Sequence, residues 1–326
     1  MSPSSLPAAI VSETATPETE LVVRAAWMYY EEGFTQQEIA ERLGLSRVKV
    51  TRLIKQAHEQ GIVEIKIQSP MAQFLPLEQE LRQKFNLMAA YVTIDAEQGE
   101  PLQRVLANAA ARVLEQRLYP GILVGLGFGH TTSFLPEYFH PRNQINCTFI
   151  VLTGGLPTTF QNQNYRSPVE RLARQGGGKF LYLNAPLLAS SMEIREAILS
   201  DRAISEAIEL ARKCEVALLS VGQVKENATL IRNGMINQED FNQIIRLGGV
   251  GDALGRFYNK EGQELDTNFN KRLIGLSIDE LREIPTRIVV AGGLIKIKAI
   301  LGALRGGIAN ILITDAGTGR VLIDEA

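Results

Sequence analysis

The spacing of apolar residues divides the chain into three zones. From residue 18 to about residue 60 the spacing is helical, with no proline after Pro17 and only Gly33 and Gly44 as breaks. Gly61-Ile62-Val63-Glu64-Ile65-Lys66-Ile67 then alternates as a short strand does, and Ser69-Pro70 and Leu75-Pro76 mark a hinge. Beyond the hinge, apolar runs at 90–94, 122–126, 148–152, 180–183, 216–221, 287–291 and 311–314 have the character of strands. Amphipathic stretches at 102–117, 168–174, 194–199, 204–212, 295–304 and 318–323 fall between them and predict helices. Strand and helix in alternation call for a mostly parallel sheet covered on both faces, because parallel neighbours need crossover connections. The expected layout is a disordered leader over 1–17, a small helical domain over 18–68, a hinge over 69–76 and a large α/β domain over 77–326.

The small domain is the most informative. Thr35 followed by Glu38 is a capping box that opens one helix, whose Ile39 and Leu43 face inward. Gly44 is placed to take the left-handed conformation that ends it. Ser46 caps a second helix, and Val50, Leu53, Ile54 and Ala57 recur on it at the spacing of one buried face. An earlier helix with Leu21, Ala25 and Met28 on one side supplies the third element, and the 61–67 strand would add the edge of a wing.

Composition sharpens this reading. The net charge is only −2, so a surface for nucleic acid must be local. Arg47, Thr51 and Lys55 stand one turn apart on the outer face of the second helix, flanked by Lys49 and Arg52, and no acidic residue lies between Glu41 and Glu59. A solvated helical hairpin would show the same charges. It would not need the cap, the glycine and the apolar stripe within the same twenty or so residues. The segment therefore predicts a helix-turn-helix for double-stranded DNA, with Arg47 and Lys49 as candidates for base edges and Ser46, Arg52 and Lys55 for phosphates, accompanied by Gln36 and Thr51.

With 45% hydrophobic residues the chain can build a substantial core. Cys147 and Cys214 lie in apolar strand-like surroundings without a CxxC spacing, which predicts buried free thiols. The first 17 residues hold no Lys or Arg, and no apolar run reaches the roughly 18 residues of a membrane span. A cytoplasmic protein with no membrane partner, no metal and no cofactor is expected.

Glycine-bearing turns follow several predicted strands: Gly125-Leu126-Gly127-Phe128-Gly129-His130-Thr131-Thr132, Thr153-Gly154-Gly155, Ser220-Val221-Gly222 and Ala291-Gly292-Gly293. Ligands of open α/β sheets bind outside the carboxyl ends of strands, where glycines admit close approach and N–H groups favour anions. The turns complete neither a dinucleotide fingerprint nor a P-loop. Lys296 either meets an anion or is a solvated helix lysine. Asp252, set among glycines, either accepts sugar hydroxyls or makes an Asx turn. His130 is open between a loop role and a ligand contact, and Tyr165 and Arg166 are candidates for a lid.

The two zones together resemble the SorC family of sugar-binding regulators, the SorC/DeoR type, over nearly the whole chain. The resemblance is carried by residues 36–55 and then, in order, by Gly127-Phe128-Gly129-His130-Thr131, Asn184-Ala185-Pro186, Val250-Gly251-Asp252-Ala253-Leu254-Gly255-Arg256-Phe257, Ile274-Gly275-Leu276, Ala291-Gly292-Gly293 and Ile313-Thr314-Asp315. It implies a Rossmann-like effector domain related to sugar-phosphate isomerases and deaminases, assembly into dimers or tetramers, and a sugar, polyol or phosphosugar effector. It also implies that residues 129–132, the Thr153-Gly154-Gly155 turn, Asp252 and Lys296 line the pocket. His130 and Leu294 depart from the family pattern, which commonly has Arg and an acidic residue there. The expected function is a transcription factor whose grip on an operator is set by the effector through a shift in population. The competing expectations are an isomerase- or deaminase-like enzyme with an appended DNA-binding domain, using Asp252, His130 or Asp315 as a base, and a constitutive DNA binder whose α/β domain only oligomerises.

Overall fold

The computed structural model describes residues 17–325 apart from 67–68, 70–71, 97–100, 157–165, 227–228 and 233, and the side chains of 166, 167, 229 and 232. The leader expected over 1–17 falls outside these residues save for Pro17, which begins a helix. The chain forms two compact units that meet between Ala72 and Gln73.

The first unit packs α1 (Pro17–Tyr30), α2 (Gln36–Leu43) and α3 (Arg47–Glu59) around one core. The capping box is complete: Thr35 accepts the Glu38 N–H, and the Glu38 carboxylate accepts the Thr35 N–H at 2.8 Å. Gly44 stands at φ 65°, where a side chain would clash with its own carbonyl, and its left-handed turn sends the chain into α3. Ser46 accepts the Lys49 N–H and starts that helix. Val22, Ala25, Ala26 and Met28 of α1 meet Ile39 and Ala40 of α2 and Val50, Leu53, Ile54 and Ala57 of α3, and the four small alanines let the helix axes approach closely. Tyr30 and His58 join the ends of α1 and α3 at 2.6 Å. Of the wing strand expected over 61–67, the described residues 61–66 form none: they pair with no second strand, and Ile65 is 59% exposed. Alternation alone gives no strand where nothing accepts its backbone hydrogen bonds.

In the second unit, α4 (Leu75–Lys84) begins where a hinge was expected, with Pro76 in its first turn, where a missing N–H costs nothing. There follow β1 (Ala89–Thr93), α5 (Leu102–Glu115), β2 (Leu123–Leu126), α6 (His130–Ser133), α7 (Leu135–Tyr138), β3 (Thr148–Gly155), α8 (Arg166–Gln175) and β4 (Lys179–Pro186). The chain continues through α9 (Met192–Ser200), α10 (Arg202–Arg212), β5 (Val216–Leu219), β6 (Val221–Gln223), α11 (Thr229–Arg232), α12 (Gln238–Arg246), β7 (Gly251–Ala253) and β8 (Arg256–Tyr258). It ends with α13 (Asn268–Arg272), α14 (Ile278–Arg282), β9 (Thr286–Val290), α15 (Ile297–Arg305), β10 (Ile311–Asp315) and α16 (Ala316–Asp324).

Seven strands make a wholly parallel sheet in the order β1-β10-β9-β5-β2-β3-β4. Side chains alternate between two cores. Val216, Leu218, Ile288, Val290, Ile311 and Ile313 face α5 and α8, whereas Ala217, Leu219, Val289 and Leu312 face α10, α15 and α16. Both faces are therefore dry, which is why these strands read as continuous apolar runs. The run expected over 216–221 breaks at Ser220, where the chain leaves the main sheet as β6 and pairs antiparallel with β7, which pairs in turn with β8. Leu254 and Gly255, both at positive φ, form the tight turn between β7 and β8. From β2 the chain winds outward through β3 and β4, then returns to β5 on the other side of β2 and winds the opposite way. The reversal lies between β2 and β5.

Candidate nucleic-acid interface and ligand site

On α3, Ser46, Arg47, Lys49, Thr51, Arg52 and Lys55 are all exposed, and Gln36 at the start of α2 is half-buried beside them. Thr51 shares its hydroxyl proton between the Gln36 Oε1 at 2.7 Å and the Arg47 carbonyl at 3.0 Å. The bond to Gln36 ties the start of α2 to the outer face of α3. Lys55 faces Glu59 at 3.4 Å, an exposed pair too weak to withhold the ammonium from a phosphate. The residues read from the sequence thus share one basic face. Val48, which carries no charge, stands among them 79% exposed.

The second unit gathers part of the expected ligand residues at the reversal between β2 and β5. The turn after β2 carries Gly129 against Ser220 at the end of β5: a Cβ on Gly129 would lie 3.1 Å from the Ser220 Oγ. Next to Ser220, Gly222 pairs with Asp252 across β6 and β7, and the Asp252 carboxylate lies over it so closely that a Cβ there would meet Oδ1 at 2.0 Å. Asp252 is a strand residue that accepts the Gly255 N–H, and not the Asx turn weighed above. Lys296, at the start of α15, is no solvated lysine either: its ammonium donates to the Val221 carbonyl at 3.0 Å. Loss of water pushes the Asp252 carboxyl up to about 6, against the pull of the Lys296 charge. Burial likewise lowers the Lys296 ammonium, with Asp252 opposing it.

The loop after β2 continues as α6. Thr131 and Thr132 are buried, and Thr132 spends its hydroxyl proton on the Gly127 and Gly129 carbonyls, fixing the turn. His130 is exposed and lies against the Phe134 ring. A mostly apolar cleft of about 50 Å³ opens beside this loop, lined by Phe128, Thr132, Thr153, Gly155, Val169 and Tyr182 among others. The Thr153 hydroxyl is buried there with no hydrogen-bond partner. Such a group costs free energy until a ligand or water completes it. Gly154, by contrast, has its N–H taken by the Ile274 carbonyl at 2.9 Å, so it cannot serve an anion.

Gly292 and Gly293 also serve the protein itself. The Gly293 N–H bonds to Asp315 Oδ2 at 3.0 Å and to Thr318 Oγ1 at 2.7 Å, while Asp315 caps α16. Arg256, buried beside the site, holds the 273–276 segment through the Leu273, Gly275 and Leu276 carbonyls and pairs with Glu264 at 2.7 Å. Tyr165 lies outside the described residues, and so does the side chain of Arg166, the first residue of α8. Of the groups weighed as catalytic bases, Asp315 is a cap, Asp252 faces Lys296, and His130 lies on the surface. Among the described residues no group of metal ligands forms, and no helix is long and apolar enough to cross a membrane. Cys147 and Cys214 are buried free thiols, as expected, and burial pushes Cys214 up to about 12.

Comparison with known proteins agrees with this two-part geometry. The Crp-like helix-turn-helix domain model matches residues 25–72, and the Sugar-bind model, a sugar-binding domain, matches residues 69–324. The chain is 34% identical to the transcriptional regulator LsrR of Enterobacter sp. (strain 638), over 95% of this chain and 94% of that protein. It is 33% identical to the erythritol catabolism regulatory protein EryD of Brucella abortus, over 95% and 98%. It is 30% identical to the deoxyribonucleoside regulator of Bacillus subtilis, over 94% and 98%. The crystal structure of the full-length sorbitol operon regulator SorC from Klebsiella pneumoniae superposes with a TM-score of 0.70 at 26% identity, covering 94% of this chain and 99% of that one. These relatives are regulators and not enzymes. The chain belongs to the SorC/DeoR-type family of sugar-binding transcriptional regulators.

Proposed function

We propose that α3 reads double-stranded operator DNA through the Ser46-to-Lys55 face, and that a small sugar, polyol or phosphosugar bound where the sheet reverses controls this reading. The observation that carries the ligand site is the meeting of Gly129, Ser220, Gly222, Asp252 and Lys296 at that reversal, next to a cleft with an unpartnered Thr153 hydroxyl. Asp252 accepts ligand hydroxyls. Lys296, already engaged, supports Asp252 and meets an anionic group if the ligand carries one. The cleft as it stands is small, about 50 Å³. Ligand entry therefore opens the cleft beside the turn after β2, and this opening is the population shift that controls the DNA-binding unit. The names of the relatives favour the same class: EryD is named for erythritol catabolism, SorC for the sorbitol operon and the Bacillus protein for deoxyribonucleosides. The protein works in the cytoplasm as a homo-oligomer, a dimer or tetramer, whose paired units span half-sites about 34 Å apart per helical turn.

A thermal-shift screen across free sugars, polyols and phosphosugars tests this. Stabilisation by one class, together with a change in operator affinity on adding the same compound, supports the reading. Stabilisation lost in Asp252→Ala places the ligand at that carboxylate. If no compound of these classes raises the melting temperature, the ligand reading falls.

A further inference from the structure

Val48 is an anomaly on the otherwise polar outer face of α3. It is 79% exposed, the largest exposure among the bulky apolar residues of the described chain, and it sits in the first turn of α3. Its direction follows from helix geometry. At about 100° per residue, the buried set Val50, Leu53, Ile54 and Ala57 defines the inward side, and Val48 lies almost diametrically opposite. Arg47 and Lys49 diverge to either flank of the helix, each about a quarter turn from the buried stripe. Arg52 and Lys55, four and seven residues further on, continue the row that Val48 begins.

When a recognition helix enters the major groove, the side chain pointing straight out of its first turn meets the groove floor, and those on its flanks meet the walls. The walls are phosphate, and Arg47 and Lys49, candidates for base edges in the sequence, point to those walls instead. The floor is base edges, and an isopropyl group offers them neither donor nor acceptor. The apolar feature of that floor is the C5-methyl of thymine. We infer that Val48 determines part of the operator sequence by packing on the methyl group of one thymine in each half-site, and that Arg47 and Lys49 straddle that contact on the backbone. The inference rests on α3 reading DNA and names what it reads.

The test starts with the full-length protein selecting duplexes from a random pool, which defines the half-site and its thymines. Each thymine is then replaced by deoxyuridine, which removes the methyl and nothing else. At one position the replacement weakens wild-type binding by about fourfold, the worth of one buried methyl-sized group. Val48→Ala, whose melting temperature and circular dichroism match wild type, binds the thymine and uracil duplexes equally. Arg47→Ala, in contrast, weakens both duplexes and lowers the salt dependence of binding. The inference is overturned if no uracil replacement costs wild type twofold, or if the penalty survives undiminished in Val48→Ala. Enrichment of no sequence at all would instead remove the DNA reading on which it stands.

Discussion

Thr318, wholly buried at the head of α16, accepts the Gly293 N–H at 2.7 Å and passes its own hydroxyl proton to Asp315 at 2.6 Å. The glycine turn after β9 is thereby pinned to α16, and α16 lies against α4 where Gly319 faces Leu77 and Leu81. Thr318→Val keeps the shape and removes the acceptor. It should destabilise the second unit by about 1 kcal/mol, the net worth of a lost hydrogen bond, since Asp315 Oδ2 still accepts the Gly293 N–H. In hydrogen-exchange measurements the Gly293 amide and those of α4 should exchange faster, while those of α10 stay as they are.

Asp252 titrates against the usual direction. Its carboxyl holds a proton to about pH 6 in the folded protein, against an ordinary value of 3.8. The folded state therefore binds more protons than the unfolded one between these values. Its contribution to stability is full below the ordinary value, fades as pH rises, and is gone above about 6. Carbon-13 titration of the aspartate carboxyls should show one midpoint near 6. Lys296→Met, which removes the charge that favours the carboxylate, should raise that midpoint further.

Arg256 is the joint of the ligand domain. Arg256→Met leaves Glu264 without its cation and strands the carbonyls of the 273–276 segment. Breaking a buried, hydrogen-bonded pair on one side costs about 3–5 kcal/mol. Urea unfolding followed by far-UV circular dichroism should show the loss, and Arg256→Lys, lacking the planar fork, should recover little of it.

In the three-helix unit, Ser46→Ala removes the acceptor of the Lys49 N–H. It should cost about 1 kcal/mol of helix stability and speed amide exchange in the first turn of α3. Operator binding should weaken in fluorescence anisotropy without change to any ligand response of the second unit.

Much of this architecture could be read from the sequence because its determinants are local. The parallel strands announce themselves as apolar runs, since both faces of the central ones are dry, and Thr35, Glu38, Gly44 and Ser46 act within a few residues of one another. What escaped depends on partners distant in the chain. Nothing near Gly154 says that Ile274 takes its N–H, nor near Gly293 that Thr318 does. The β7–β8 hairpin hid because its turn is Leu254-Gly255, without the Asn or Asp that marks most such turns. Ser220 looked like part of a strand until the structure showed the chain changing sheets there. Val48 is a different case: a helical wheel places it opposite the buried stripe, but a search for cations does not see an exposed valine.

The order of the sheet also sets a timetable for biosynthesis. β1, the earliest strand to leave the ribosome, sits at the sheet's edge with β10 as its neighbour, the latest to leave. The three helices at the front of the chain share a core of their own and wait for nothing downstream. A polypeptide cut short ahead of β10 would thus carry a finished three-helix unit beside a sheet that lacks the strand joining β1 to β9.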